Sequence, residues 1–290
     1  MIFAGMPGRT VFGQMNEFFS VKNNDRFDKI NLTLAATSGI CSVKPSSYVE
    51  AVRIFSSEKN LESKPIFKTE IKSRVKMVAF RVDNAQGLAM GKTLSSRIFG
   101  DNICKKNKWN VLLSDCKPLD LNLSYVVGEA NVDLSGLPVE NLKIKSGNAD
   151  VRIDYLSGQY SPLEMDTLRV HVDMGSLEIK RVNLGRPRQV EAKVGFGKLR
   201  LDFGSDPALC SSDISASIDA GSMEIAIPDN VYPTLIRINN SPLCHIKLPK
   251  SFRKIGDNLY ANHAYSPNSD NLVTFDLNVS LGYISFVSVE

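Results

Sequence analysis

The chain has 290 residues, 43% of them hydrophobic and 23% charged, with a net charge of +4. That is enough apolar material for a sizeable core. Lys and Arg are scattered among 31 acidic residues, which argues against the concentrated basic face that nucleic acid requires, and no apolar run reaches the length that spans a bilayer as a helix.

Residues 1–14 read MIFAGMPGRTVFGQ. The stretch Thr10–Gln14 resembles the tail of a bacterial secretory signal ahead of a mature start at Met15, and a disordered terminus is the alternative reading. A first short copy of a recurring pattern follows, INLTLAATSGICSV (30–43), in which alternating apolar residues lead to a glycine and then to a second alternating run. Residues 46–118 are less regular. They hold strand-like runs at Val52–Phe55, Ile66–Ile71, Val75–Val82 and Trp109–Leu113, and a polar loop near 83–108.

From residue 120 the pattern repeats: LNLSYVVGEANVDL (121–134), LKIKSGNADVRI (142–153), VHVDMGSLEI (170–179), VEAKVGFGKLRL (190–201), ISASIDAGSMEI (214–225) and FDLNVSLGYISF (275–286). Period-two alternation marks half-buried strands, and a central glycine supplies a kink that other residues resist. Each copy is expected to be two short strands meeting at a corner, with corner glycines Gly128, Gly147, Gly175, Gly195, Gly221 and Gly282. The first five are spaced by 19, 28, 20 and 26 residues, the range of one solenoid coil. Linkers such as 133–138, 157–162 and 204–207 read as turns. The fold class expected is an all-β solenoid of stacked short strands, one domain over 15–290 with less regular insertions at 46–108 and 228–271.

Stacking in sequence order would align two columns of alternating charge. The first is Lys145, Asp173, Lys193 and Asp219, and the second is Arg152, Glu178, Arg200 and Glu224. Opposite charges on adjacent strands attract by roughly 0.2–1 kcal/mol per pair.

Other chemistry has little support. Gly91-Lys92-Thr93 lacks the upstream glycine of a phosphate loop, since position 86 is Gln86. Three histidines (His171, His245, His263) and five scattered cysteines show no metal-binding spacing, so no cofactor or metal is expected. Cys104 and Cys116 read as free buried thiols, with a pairing across the intervening loop as the alternative. Asp173, Glu178, Asp219 and Glu224 interleave with Lys and Arg, which fits a charge-balanced solvated face better than a polysaccharide-cleaving carboxylate cluster. The aromatics Tyr125, Tyr155, Tyr160, Phe196, Phe203 and Tyr283 fall at turns or core positions and are expected to fill corners rather than stack on sugars.

The motifs Gly-Ser-Leu-Glu-Ile (175–179), Gly-Ser-Met-Glu-Ile (221–225), Val-Asp-Leu-Ser-Gly-Leu (132–137) and Ser-Leu-Gly-Tyr-Ile (280–284) resemble those of the bacterial toastrack family of adhesin-like domains, which also occur in envelope stress-response proteins. The similarity covers residues 28–45 and 105–290, and the chain departs from the pattern over 46–104. The resemblance implies a right-handed β-helix-like fold, export to the cell envelope and no catalytic residues. Three roles follow for test: a non-enzymatic envelope module whose partner is a protein or other envelope component, a carbohydrate-active enzyme, and a scaffold that homo-oligomerises through its solenoid ends.

Overall fold

Alternating side chains favour extended backbone because one face is buried while the other stays wet. The computed structural model describes residues 17–56, 58, 65–83, 108–228, 231–240 and 244–289. Residues 1–14, the Gly91-Lys92-Thr93 stretch and Cys104 lie outside them. In chain order the strands are β1 (Glu17–Lys22), β2 (Lys29–Ala36), β3 (Ile40–Ser46), β4 (Glu50–Ser56), β5 (Pro65–Lys72), β6 (Val75–Val82), β7 (Lys108–Ser114), β8 (Leu119–Asp133), β9 (Val139–Asp154), β10 (Met165–Val172) and β11 (Ser176–Ile179). After one turn of 3-10 helix at Val182–Gly185 come β12 (Pro187–Val194), β13 (Lys198–Asp202), β14 (Ser212–Ile218), β15 (Ser222–Pro228), β16 (Thr234–Asn240), β17 (His245–Lys247), β18 (Arg253–Gly256), β19 (Leu259–Ala261), β20 (Val273–Val279) and β21 (Tyr283–Val289).

These strands form one continuous bent sheet with two wings. β8 and β9 run through the bend unbroken and pair in parallel along their length. Later coils break at the bend. β10, β12 and β14 continue the first wing and β11, β13 and β15 the second, all in parallel. Inward residues of both wings, such as Leu142 and Ile144 from one and Val151 and Ile153 from the other, merge into one apolar core. The chain is thus an all-β solenoid of stacked strand pairs.

The bend follows a single register column: Gly39, Gly128, Ala149, Gly175, Gly197, Gly221 and Gly282. Lys198 N–H donates to the Gly175 carbonyl, Ser222 to Gly197 and Tyr283 to Gly221. Each corner therefore rests on the carbonyl of the one before it. A Cβ on Gly197 would lie 2.5 Å from the Gly175 carbonyl oxygen, and one on Gly282 2.6 Å from that of Gly221. Gly128 has φ +113° besides, where L side chains are strained. Gly147 and Gly195, expected as corners, stand two residues ahead of the column. Gly128, Ala149, Gly175, Gly197 and Gly221 follow one another at 21, 26, 22 and 24 residues.

Sequence order holds only in the middle of the stack. At the N-terminal end β2 and β3 lie between the β6/β7 coil and β8. At the other end β20 and β21 insert between β14/β15 and β16/β17. Strands β4 to β6 and β16 to β19, from the two segments expected as less regular insertions, lie towards the ends of the described stack. Antiparallel strands then close the stack: β4 on β7, β1 on β4 and β5 on β6 at one end, β19 on β16 and β18 on β19 at the other. Antiparallel strands tolerate water on one face better than parallel ones. Aromatic rings fill both ends, Phe19, Phe67, Phe80 and Trp109 at the first and Phe203, Tyr232, Phe252, Phe275 and Phe286 at the second.

Candidate interaction surface

Register decides which charges meet on the outer faces. On the first wing one row runs Asn122, Lys143, Arg169, Glu191, Ser215, Asp276 and Arg237. The next row runs Ser124, Lys145, His171, Lys193, Ser217 and Asn278. These rows line a shallow depression of about 570 Å³ bounded by Lys143, Lys145, Arg169, His171, Glu191 and Lys193, with Ser215 and Ser217 at its far side. A second depression of about 530 Å³ shares Glu191 and Ser215 with it and continues towards Asp276 and Arg237.

Two carboxylates partly offset the cations. Arg169 Nε donates to Glu191 Oε2 at 2.8 Å, and that guanidinium holds the Glu191 carboxyl below its usual range. Asp173, from the neighbouring row, lies 2.6 Å from His171 Nε2 and 3.6 Å from Lys145 Nζ. Among the described residues neither Lys143 nor Lys193 has a carboxylate within ion-pair distance. A local basic cluster therefore exists where composition suggested only scattered charge. The linear sequence hides it, because Lys143, Arg169, His171 and Lys193 lie on three strands, β9, β10 and β12, and meet only in register.

The same register divides the first expected charge column. Lys145 and Lys193 share a row with His171 between them, whereas Asp173 and Asp219 lie just past the ends of β10 and β14, level with Gly147 and Gly195. The offset arises at Gly147 and Gly195, each of which sits two residues before the bend column.

On the second wing Arg152, Glu178, Arg200 and Glu224 occupy one row. Arg200 binds Glu224 through Nη1 and approaches Glu178 at 3.5 Å and Asp202 at 3.5 Å. Lys180 adds a 4.0 Å contact to Glu178. Opposite charges alternate along this row, with Arg200 flanked by Glu178 and Glu224. Glu178→Arg would place three guanidiniums in succession, and is expected to lower stability by about 0.5–1 kcal/mol in low salt. The loss should shrink as ionic strength rises. Denaturant titrations in low and high salt measure it, and a neutral effect in low salt would mean that the row contributes nothing.

Among the described residues no group of three or more His, Cys, Asp or Glu is placed to hold a metal. His245 and His263 are exposed. Tyr125, Tyr155 and Phe203 are buried, while Phe196 is 75% exposed and Tyr283 39%, so the aromatics divide between core and corner ridge. The cysteines divide too. Cys116 is exposed, contrary to the expectation of a buried thiol, while Cys41 is buried. Burial pushes the Cys41 thiol up to about 12, only partly relieved by the Tyr125 hydroxyl beside it. A thiol-directed maleimide at neutral pH should label Cys116 in the folded protein and leave Cys41 untouched until denaturant is added. Mass spectrometry of labelled peptides checks this, and prompt labelling of native Cys41 would contradict its burial.

The architecture defines a class: a parallel β-solenoid with a bent sheet, antiparallel ends and charged outer faces. The chain belongs to the family described as the N-terminal domain of toast_rack, DUF2154, whose model matches residues 13–180. That match takes in 46–104, where the short motifs gave no resemblance, and stops before the motifs at 221–225 and 280–284. Among solved structures, a "putative cell adhesion protein" from Clostridium sporogenes ATCC 15579 is 18% identical over 93% of this chain and 97% of its own, with a TM-score of 0.44. A "putative adhesin" from Parabacteroides merdae ATCC 43184 is 13% identical over 93% of this chain and 95% of its own, with a TM-score of 0.30. No curated protein matches the chain. Among the described residues no helix is long and apolar enough to cross a membrane.

Proposed function

We propose that this chain is a non-enzymatic, adhesin-like interaction module of the cell envelope, which meets its partner through the outer face of the first wing. The observation that carries the reading is the contrast between wings. On the second wing the row Arg152, Glu178, Arg200 and Glu224 alternates in sign, whereas on the first wing Lys143 neighbours Arg169, and Lys145 and Lys193 flank His171. Family membership supports the envelope setting.

The glycosidase alternative needs one carboxylic acid and one carboxylate facing a common substrate. Glu178 and Glu224 instead flank the same guanidinium, that of Arg200. End-to-end self-assembly has less support as well. β17 and β18 are three and four residues long, and β5, mostly exposed, carries Pro65, Lys68 and Lys72. Short strands, lysines and proline all discourage edge pairing.

Purified protein mixed with washed envelope fragments of its source cell should sediment with them at low salt. Protein that stays in the supernatant under those conditions contradicts the reading.

A further inference from the structure

We propose that the basin on the first wing binds a linear polyanion, a chain bearing regularly spaced oxyanion groups such as phosphates or carboxylates. The inference rests on the interaction-module reading above and names the chemistry of the partner.

Strands in the wing are about 4.8 Å apart, and alternate residues along a strand about 6.6 Å. Lys143 and Arg169 are therefore immediate neighbours, as are Lys145, His171 and Lys193 in the next row. Like charges placed as closely as Lys143 and Arg169 destabilise a sheet. The second wing shows that this fold readily accommodates the opposite arrangement, since Arg152, Glu178, Arg200 and Glu224 alternate in sign at the same spacing. A cationic cluster that the fold neutralises only in part, through Glu191 and Asp173, is a cost that a bound anion reduces.

The geometry selects an extended ligand. Lys143 on β9 and Lys193 on β12 are separated by two strand spacings and one row, so their backbones are about 12 Å apart. One small oxyanion cannot lie close to both backbones, whereas consecutive groups along a chain reach both ammoniums. The path for such a chain runs from Lys143 past His171 to Lys193 within the first depression, because the second is lined by Glu191, Asp213 and Asp276. Ser215 and Ser217 offer hydroxyl donors along that path. A depression suits a strand of polymer better than a planar membrane. Its lining contains no Phe, Tyr or Trp ring on which a nucleobase would stack.

The test measures binding of the intact protein to long-chain sodium polyphosphate, to polygalacturonate, to sodium orthophosphate alone, to neutral dextran, to oligo(dT), and to phosphatidylcholine–phosphatidylglycerol vesicles. The wild type should bind at least one of the first two polymers in a salt-dependent manner, and neither dextran nor orthophosphate. Preference between the two tells phosphate from carboxylate. The double variant Lys143→Glu/Lys193→Glu should weaken polymer binding by about tenfold or more. Its thermal midpoint should not fall, because it relieves like-charge contacts. A control of equal net charge, Lys198→Glu/Lys254→Glu, alters the second wing and the end strand β18, and should bind within about twofold of wild type. Failure to bind either polymer overturns the proposal. So does equal weakening by both variants, or tighter binding to vesicles or oligo(dT) than to polymer. If the wild type sediments with envelope fragments yet binds no polyanion, the polyanion proposal falls alone. If it binds polymer but ignores envelopes, the envelope reading falls instead.

Discussion

Gly197→Ala is expected to cost about 2–4 kcal/mol of unfolding free energy, and Gly195→Ala about 1 kcal/mol or less. The two glycines are two residues apart in one copy of the repeat, yet their surroundings differ. A Cβ at position 197 would stand 2.5 Å from the Gly175 carbonyl oxygen, 2.6 Å from Val172 Cγ1 and 3.1 Å from the Met174 carbonyl carbon. Two of those are backbone atoms held by the ladder, since Lys198 N–H donates to that same Gly175 oxygen. Relief therefore requires adjacent coils to separate at the corner. At position 195 the nearest atom is the Asp173 carbonyl oxygen at 3.0 Å, with the next at 3.6 Å, so a shift of a few tenths of an ångström suffices. Denaturant melts of both variants provide the comparison. A larger loss for Gly195→Ala would mean that the corner column is misplaced.

Phe275→Ala should cost about 3–5 kcal/mol, the usual range for deleting a large buried ring. Phe275 is completely buried, with ring centroids of Phe286 and Phe203 at 5.2 and 5.9 Å. Its strand β20 is also the piece laid between β14 and β16 out of sequence order. Loosening it removes support from both neighbours. Backbone amide exchange should therefore rise first in β16 and β20 and spare β8 and β9 in the middle of the stack. A loss below about 1 kcal/mol, or exchange that rises uniformly, would contradict this account of the C-terminal end.

The strands were legible because period-two alternation is a local signal. Val170, Val172, Leu177 and Ile179 all face the core as that pattern requires. Met174 does not, being 63% exposed, because it precedes the corner glycine and the chain turns outward there. Corner register was harder to read for a physical reason. A slip of two residues returns every side chain to the same face, so the apolar pattern cannot detect it. Two local features invited that slip: Ala149 holds a corner where other copies have glycine, and the 190–201 copy offers both Gly195 and Gly197. The slip left Arg152, Glu178, Arg200 and Glu224 as a column while hiding the contact of His171 with Lys145 and Lys193.

Strand order at the ends had no local signal at all. Nothing within FDLNVSLGYISF distinguishes a coil that follows the 228–271 segment from one that tucks beneath it. That outcome depends on which ring cluster closes the core, and Phe203, Phe275 and Phe286 come from distant positions. The basic basin shares this character. Lys143, Arg169 and Lys193 are individually unremarkable strand residues, and their significance arises from neighbours roughly one coil away in sequence.

Contact with the partner through the first wing is the central expectation. Lysine acetylation footprinting of the wild-type protein, with and without envelope fragments and read by mass spectrometry, tests that directly. Lys143, Lys145 and Lys193 should acetylate more slowly in the presence of envelope, while Lys180, Lys198 and Lys247 on the second wing keep their free-protein rates. Protection confined to the second wing, or binding with no change at Lys143 and Lys193, would contradict it.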